Sequence, residues 1–286
     1  MDTKTNQTAS AASNDRIRRY YDAFDEWGRL NAPAGQFEFQ RTMFLLQHYL
    51  PTACRVLDLG GGPGRYAIAL ARRGHRVVLA DISPEQIDLA ERKIRATDVK
   101  NHIERIDIVD AVDLGIYEDA SFDAVAALGP FYHFVSEEQR RSAVSEIRRV
   151  LRPSGLVFVS FMPPLVGVIG LIERAAADPA QVDPAAYETA LDGGVFHNRT
   201  DRGFQEGWFA KPDEITGLFR DAGFTRLDLV SIRGLAYGRE ETILAMRESK
   251  PDQFAGIMQA LQKSARYPTV IATCGHAVYI GRANAD

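Results

Sequence analysis

From Arg55 to Phe161 the chain alternates between short apolar runs and longer amphipathic ones, and this alternation constrains its architecture more than any other feature. The strand-like runs are RVLDL, RVVLAD, HIERIDIV, FDAVAAL and GLVFVSF. Between them stand RYAIALARR, SPEQIDLAERKIRA and SEEQRRSAVSEIRRVL, whose apolar residues recur at helical spacing. Strands that alternate with helices imply βαβ units and a parallel sheet covered on both faces. The third helical run opens with Ser136 and has Gln139 three residues later, the pattern of a capping box. Further on, KPDEITGLFRDAG reads as a helix, FTRLDLVSI as a strand, residues 239–264 as helical and VIATCGHAVYIG as a closing strand. Seven strands are expected in all.

The flanking segments read differently. Residues 1–14 are polar and are expected to form a disordered arm. Ile17, Tyr20, Tyr21, Phe24 and Trp27 then recur at spacings of three and four, which predicts an amphipathic helix with Asn14 as its N-cap. A second helix is expected over 37–49, stopping at Pro51, so residues 15–50 form a helical cap. Residues 163–210 hold PP, DP and GG breaks and scattered aromatics, and are expected to lie as an insertion, or lid, over the sheet. Residues 15–286 are read as a single domain.

Composition narrows the partners. The 286 residues are 45% hydrophobic and 25% charged, which supports a sizeable core. A net charge of −4 argues against an electrostatic grip on nucleic acid. No apolar run reaches the length of a membrane span, and the N-terminus lacks the apolar core of a signal peptide. Cys54 and Cys274 suit neither a disulfide framework nor a zinc site. A cytoplasmic location, no metal, no membrane and no nucleic-acid partner are the expectations.

The first strand runs into the turn GGGPG. Gly60, Gly62 and Gly64 let the backbone approach a ligand where a Cβ would intrude. A nicotinamide fingerprint would read GxGxxG, but Arg65 stands at its third glycine, and the GK[ST] ending of a phosphate loop is missing. Asp58 at the strand end repels a pyrophosphate and suits a cationic amino or sulfonium group. The ligand is therefore read as nucleoside-like and positively charged. Asp81, ending the second strand, can accept two hydrogen bonds from a ribose diol, or can simply cap the helix that follows. Asp110 follows the third strand, where it or the adjacent backbone meets an adenine amino group, while Asp113 is read as a solvated loop charge.

With VLDLGGGPG, Asp81, DAVDL and FDAVAALGPFYHF in register, the chain resembles the class I S-adenosylmethionine-dependent methyltransferases, and within them the bacterial branch that methylates small molecules. The resemblance covers about residues 55–160 well and continues more loosely to the end. It implies a Rossmann-like, mostly parallel sheet with an antiparallel last strand. It implies S-adenosylmethionine as cofactor: the glycine turn and Asp58 around the methionyl part, Asp81 with Ile82 at the ribose, Asp110 with Ala111 at the adenine, and Leu128 beside them. It also implies methyl transfer to a small, aromatic natural-product acceptor at N, O or C, an indole carbon among the options. A nicotinamide-dependent oxidoreductase and a non-catalytic S-adenosylmethionine-binding protein are the rival readings.

Methyl transfer needs an aligned nucleophile, exclusion of water and, for a protonated acceptor, a base. After the fourth strand comes LGPFYHF, where Leu128 and Gly129 cannot grip an amino group as the polar residue of a [DN]PP[YF] motif does. His133 is the conspicuous titratable group there, a base if its pKa is ordinary, or a structural histidine holding a carbonyl. Tyr20 and Tyr21 on the first helix are further candidates, since adjacent positions cannot share one orientation. For acceptor binding the candidates are Phe131 and, within VFHNRTDRGFQEGWFAKP, His197, Asn198 and Trp208. Its aromatics either wall an apolar pocket or merely fasten the insertion to the sheet.

Overall fold

The computed structural model describes residues 16, 18–21, 24–192, 194–197 and 206–285. Seven strands form one sheet: β1 (Arg55–Leu59), β2 (Arg76–Asp81), β3 (Ile103–Ile108), β4 (Phe122–Ala127), β5 (Leu151–Phe161), β8 (Phe224–Ser231) and β9 (Ala277–Ala283). Their order is β3-β2-β1-β4-β5-β9-β8. The first five pair in parallel, and β9 runs antiparallel to both β5 and β8. This is the expected α/β architecture, with the antiparallel last strand that the family resemblance implied. The chain reverses direction of build at β1, which pairs with β2 on one side and β4 on the other. Such a switch point opens a crevice at the carboxyl ends of the strands.

Side chains of a strand alternate between faces, and here both faces are buried. Leu57, Leu59, Val78 and Ala80 enter one core together with Val144 and Ile147 of the helix Glu137–Val150 and Phe219 of the helix Pro212–Asp221. Val56, Val77 and Leu79 enter the other with Leu46, Leu70 and Ile94, from the helices Pro33–Tyr49, Arg65–Ala71 and Pro84–Arg95. Burying each such side chain contributes about 1.5–3 kcal/mol, so continuous apolar strands are what a sheet covered twice requires. Ser83 caps the helix Pro84–Arg95, and the Ser136–Gln139 capping box forms as its sequence predicts.

Four boundaries differ from the sequence reading. The N-terminal helix does not run through to Trp27: residues 18–21 are helical, Phe24 lies in a bend, and Glu26–Arg29 is a separate turn capped by Asp25, which accepts from the Gly28 N–H at 2.8 Å. Asn14 and Ile17 lie outside the described residues. The second helix starts at Pro33, whose fixed φ suits a first helical position. VIATCGHAVYIG is not one strand, because Pro268 opens the helix Pro268–Thr273 and Gly275, at φ 74°, turns the chain into β9. The segment 163–210 is more regular than its breaks suggest. Pro163 and Pro164 start the helix Pro164–Ala177, and a second helix (Ala185–Asp192) leads into a hairpin of β6 (Val195–His197) and β7 (Glu206–Trp208). Proline punctuates such a segment by starting helices as readily as by ending them.

Candidate active site

The turn after β1 takes the backbone through the left-handed region, with Gly60 at φ 67° and Gly62 at φ 53°. At Gly60 a Cβ would stand 2.8 Å from the Pro130 ring, so the β1 and β4 loops can close on each other only through glycine. At Gly62 the nearest atom to a Cβ would be 3.6 Å away, so there the side chain is missing on the cavity side, not because protein packs against it. Backbone bonds fix the turn: Gly60 and Gly61 N–H donate to the Ala80 carbonyl at 2.8 and 3.1 Å. Gly64 stands behind, as N-cap of the helix Arg65–Ala71, and does not border the cavity.

A cavity opens beside this turn. It is bordered by Asp58, Gly60, Gly62, Asp81 and Ile82 from the β1 and β2 ends. Asp110, Ala111 and Leu128 border it from the ends of β3 and β4, and Tyr21 and His133 close it. Asp58 is 1% exposed and its Oδ2 has no hydrogen-bond partner. Burial, with a smaller push from Asp81, raises its carboxyl to about 7. Gln86 Oε1 is a second buried acceptor without a partner on the same lining. Two orphaned acceptors in one polar crevice call for a ligand with hydrogen-bond donors, and an ammonium and ribose hydroxyls, as in S-adenosylmethionine, meet that demand.

Asp81 does more than the two alternatives weighed from sequence. Its Oδ2 accepts from Gly62 N–H at 2.8 Å and its Oδ1 from Ser83 N–H at 2.9 Å, so it ties the glycine turn to the helix start. Each carboxylate oxygen keeps a further lone pair for a diol. Burial raises this carboxyl too. Asp81→Ala is expected to weaken S-adenosylmethionine binding about tenfold to more than a hundredfold, since losing the charge-assisted bonding to a diol costs about 1.5–3 kcal/mol. Titration calorimetry checks it, and unchanged affinity would remove Asp81 from the site.

His133 ends the short helical turn Phe131–His133 after β4 and is buried. Its Nε2 lies 2.8 Å from the Tyr21 hydroxyl, with the rings edge to face. Burial pushes its pKa down to about 4, against the ordinary value assumed from sequence, so the ring is neutral at physiological pH. Tyr21 is held above the ordinary phenol value by burial, then by the nearby Tyr132 hydroxyl, to which it hydrogen-bonds.

A second cavity shares Tyr21, Glu26, Arg29 and Tyr132 with the first. Tyr20 and Phe24, stacked at 5.2 Å, Phe196, Phe209 and the helix Pro164–Ala177 line the rest. Its polar end was missed in the sequence. Arg29 Nε donates to both oxygens of Glu26 at 2.8 and 3.0 Å, its Nη2 donates to Glu38 at 3.1 Å, and His276 Nδ1 lies 3.4 Å from Glu38. Burial raises Glu38, but His276 and Arg29 more than offset this and hold its carboxyl well below the usual range. Only the Glu26–Arg29 spacing signalled this network in the sequence; Glu38 and His276 arrive by folding.

Several sequence candidates go elsewhere. Phe131 is fully buried against Phe134 and Phe219 in the sheet core, not at a cavity wall. Trp208 is buried, with the Arg140 guanidinium 4.2 Å from its ring, and fastens the hairpin. His197 is exposed and pairs with the buried Glu206 at 3.2 Å, away from both cavities. Asn198 lies outside the described residues. Asp113 is the loop charge expected, accepting from Gly115 N–H at 3.0 Å. Among the described residues no helix is long and apolar enough to cross a membrane.

Residues 56–155 match the family described as "Methyltransferase domain". The chain is 34% identical over 113 residues to the tRNA 5-carboxymethoxyuridine methyltransferase of Escherichia coli K12, covering 39% of this chain and 41% of that one. It is 35% identical over 118 residues to the demethylmenaquinone methyltransferase of Clavibacter sepedonicus, covering 40% and 44%. The chain thus spans less than half the length of these curated relatives. Among solved structures it is similar to the Burkholderia thailandensis 1,6-didemethyltoxoflavin-N1-methyltransferase, with a TM-score of 0.57, 19% identity, and 98% of this chain and 90% of that one covered. That likeness is one of fold.

Proposed function

We propose that this chain, which has the fold and the S-adenosylmethionine-binding domain of the class I S-adenosylmethionine-dependent methyltransferases, moves a methyl group to a small apolar, ring-containing acceptor. The observation that carries this reading is the pair of contiguous cavities. One is built around the glycine turn and the orphaned Asp58 oxygen; the other is walled by aromatics and shares Tyr21, Glu26, Arg29 and Tyr132 with it. The solved structure from Burkholderia thailandensis holds 1,6-didemethyltoxoflavin and S-adenosylhomocysteine, which supports a small-molecule acceptor on this fold. The net charge of −4 supports it over RNA. A nicotinamide cofactor is disfavoured by Arg65, whose guanidinium stacks over Trp27 at 4.9 Å and donates to Asn31 at 3.0 Å where a bare turn would be required.

S-adenosylmethionine supplies an activated methyl on a sulfonium, so the protein's task is alignment and exclusion of water. Asp58 holds the cationic amino group, Asp81 the ribose diol, and the backbone around Asp110 and Ala111 the adenine. Tyr21, reaching both cavities, orients the acceptor through its hydroxyl. His133, neutral and within 2.8 Å, accepts a proton through that hydroxyl when the acceptor must lose one.

Asp58 gives the binding step a pH signature. Its carboxyl, raised to about 7 in the free protein, must ionise to pair with a cation. Binding below pH 7 is therefore expected to release protons, and affinity to rise with pH up to about 7 and then level off. Calorimetry at pH 6 in buffers of different ionisation enthalpy reads this directly; no proton release would contradict it, and Asp58→Asn should abolish it. Stability is a poorer readout. Asp58 makes the folded state lose stability as pH rises from about 4 to 7, whereas His133, depressed to about 4, makes it lose stability as pH falls from its unfolded value near 6.5. The two slopes oppose each other in the same window.

A further inference from the structure

Away from both cavities, the helix Pro33–Tyr49 carries a buried cation that the methyl-transfer reading does not use. Phe37 of this helix clusters with Ile243 and Leu261, from the helices Glu240–Ser249 and Pro251–Ser264. One turn further on stands Arg41, 8% exposed, its guanidinium 5.5 Å from the centroid of the Phe44 ring. Among the described residues it has no hydrogen-bond acceptor and no ion-pair partner. None of its nitrogens is sealed from solvent, so a ligand can reach the guanidinium from outside.

The charge that bears on Arg41 is a second cation. Arg266 follows the helix Pro251–Ser264 by two residues and is pinned to Asp228 of β8. Its Nε donates to the two carboxylate oxygens at 3.1 and 3.0 Å and its Nη2 donates at 2.6 Å. The Tyr49 hydroxyl donates to the same carboxylate at 2.8 Å, so that acid is committed to Arg266 and Tyr49. A third guanidinium, Arg247, donates to the neutral Gln40 at 2.9 Å, next to Arg41 in the chain. Burial, and then the Arg266 charge, hold Arg41 below the ordinary arginine value. A cation taken out of water is costly unless it is paired, and a like charge beside it adds to the cost. The face of Phe44 offsets only part of this. The missing counter-charge has to come from outside the fold.

We propose that Arg41, with Arg266 beside it, binds a phosphate group, free or as a monoester, between the helix Pro33–Tyr49 and the end of the helix Pro251–Ser264. Two neighbouring guanidiniums call for a dianion, and the planar fork of Arg41 matches two phosphate oxygens. Phe44, 42% exposed, flanks the position with an aromatic face. This site is separate from the two cavities and does not depend on methyl transfer.

The test titrates the full chain with inorganic phosphate at an ionic strength held constant with sodium chloride, following both heat and melting temperature. Saturable binding with a Kd of about 1 mM or tighter is expected, the melting temperature rising as the site fills. Arg41→Met should weaken phosphate at least about tenfold, and Arg41→Lys less, because lysine keeps the charge but loses the fork. Without phosphate, Arg41→Met should melt no lower than wild type, since methionine removes an unpaired charge and keeps an apolar stem. Circular dichroism shows that each variant is folded. Phenyl phosphate separates the two sources: tighter binding than phosphate means a monoester whose ring rests on Phe44, equal binding means the free ion, and both support the site. No saturable binding of phosphate by wild type, binding that survives Arg41→Met, or a lower melting temperature of Arg41→Met in phosphate-free buffer overturns the proposal.

Discussion

Gly62→Val is expected to abolish S-adenosylmethionine binding while the protein stays folded. Gly62 sits at φ 53°, which a β-branched residue resists, and its absent side chain faces the first cavity. Because a Cβ would meet protein no closer than 3.6 Å, the substitution does not jam the core. Its cost falls on the ligand's path and on the turn that Asp81 holds through the Gly62 N–H. A loss of about a hundredfold or more in affinity follows if the valine methyls and the lost backbone bond together cost roughly 3 kcal/mol. Calorimetry measures the affinity and circular dichroism the fold. Binding retained in a folded Gly62→Val protein would place the ligand elsewhere.

The second large effect concerns chemistry. His133→Ala is expected to lower kcat by about 10²–10⁴-fold on an acceptor that must lose a proton, with S-adenosylmethionine affinity nearly unchanged. Tyr21→Phe should do the same, and the double variant should cost little more than either, because the two groups share one hydrogen bond of 2.8 Å. Since burial depresses His133 to about 4, the wild-type rate limb belonging to this residue should lie near pH 4, leaving the rate flat between pH 6 and 8 as far as His133 is concerned. An acid limb centred near 6.5 that disappears in His133→Ala would contradict the buried, neutral ring. Full kcat in His133→Ala would contradict its role altogether.

The sheet was legible because two-sided burial leaves a crude signal: continuous apolar strands separated by capped helices. The glycine turn was legible because backbone approach demands a residue type. Less legible were the places where neighbours in space decide. VIATCGHAVYIG is β-branched enough to read as one strand, yet Pro268 and Gly275 divide it into a helix and β9. Phe131 and Trp208 carried the right chemistry for a pocket wall, but their side chains enter the core and an Arg140 stack instead. The ordinary pKa assumed for His133 failed for a related reason, as nothing in LGPFYHF reveals that Tyr21 and the loop close over the ring. The Arg29, Glu38 and His276 network joins residues from opposite ends of the chain, and no local pattern announces it.

The activity proposed for this chain is transfer of methyl groups from S-adenosylmethionine to small molecules. The most direct measurement incubates the protein and S-adenosylmethionine carrying an isotopic methyl with host extract, then separates small molecules, RNA and protein before counting label. Label is expected in a low-mass organic product, with S-adenosylhomocysteine formed in equal amount and both lost in Gly62→Val. Label confined to RNA or protein, or no transfer by a protein that binds S-adenosylmethionine, would contradict it.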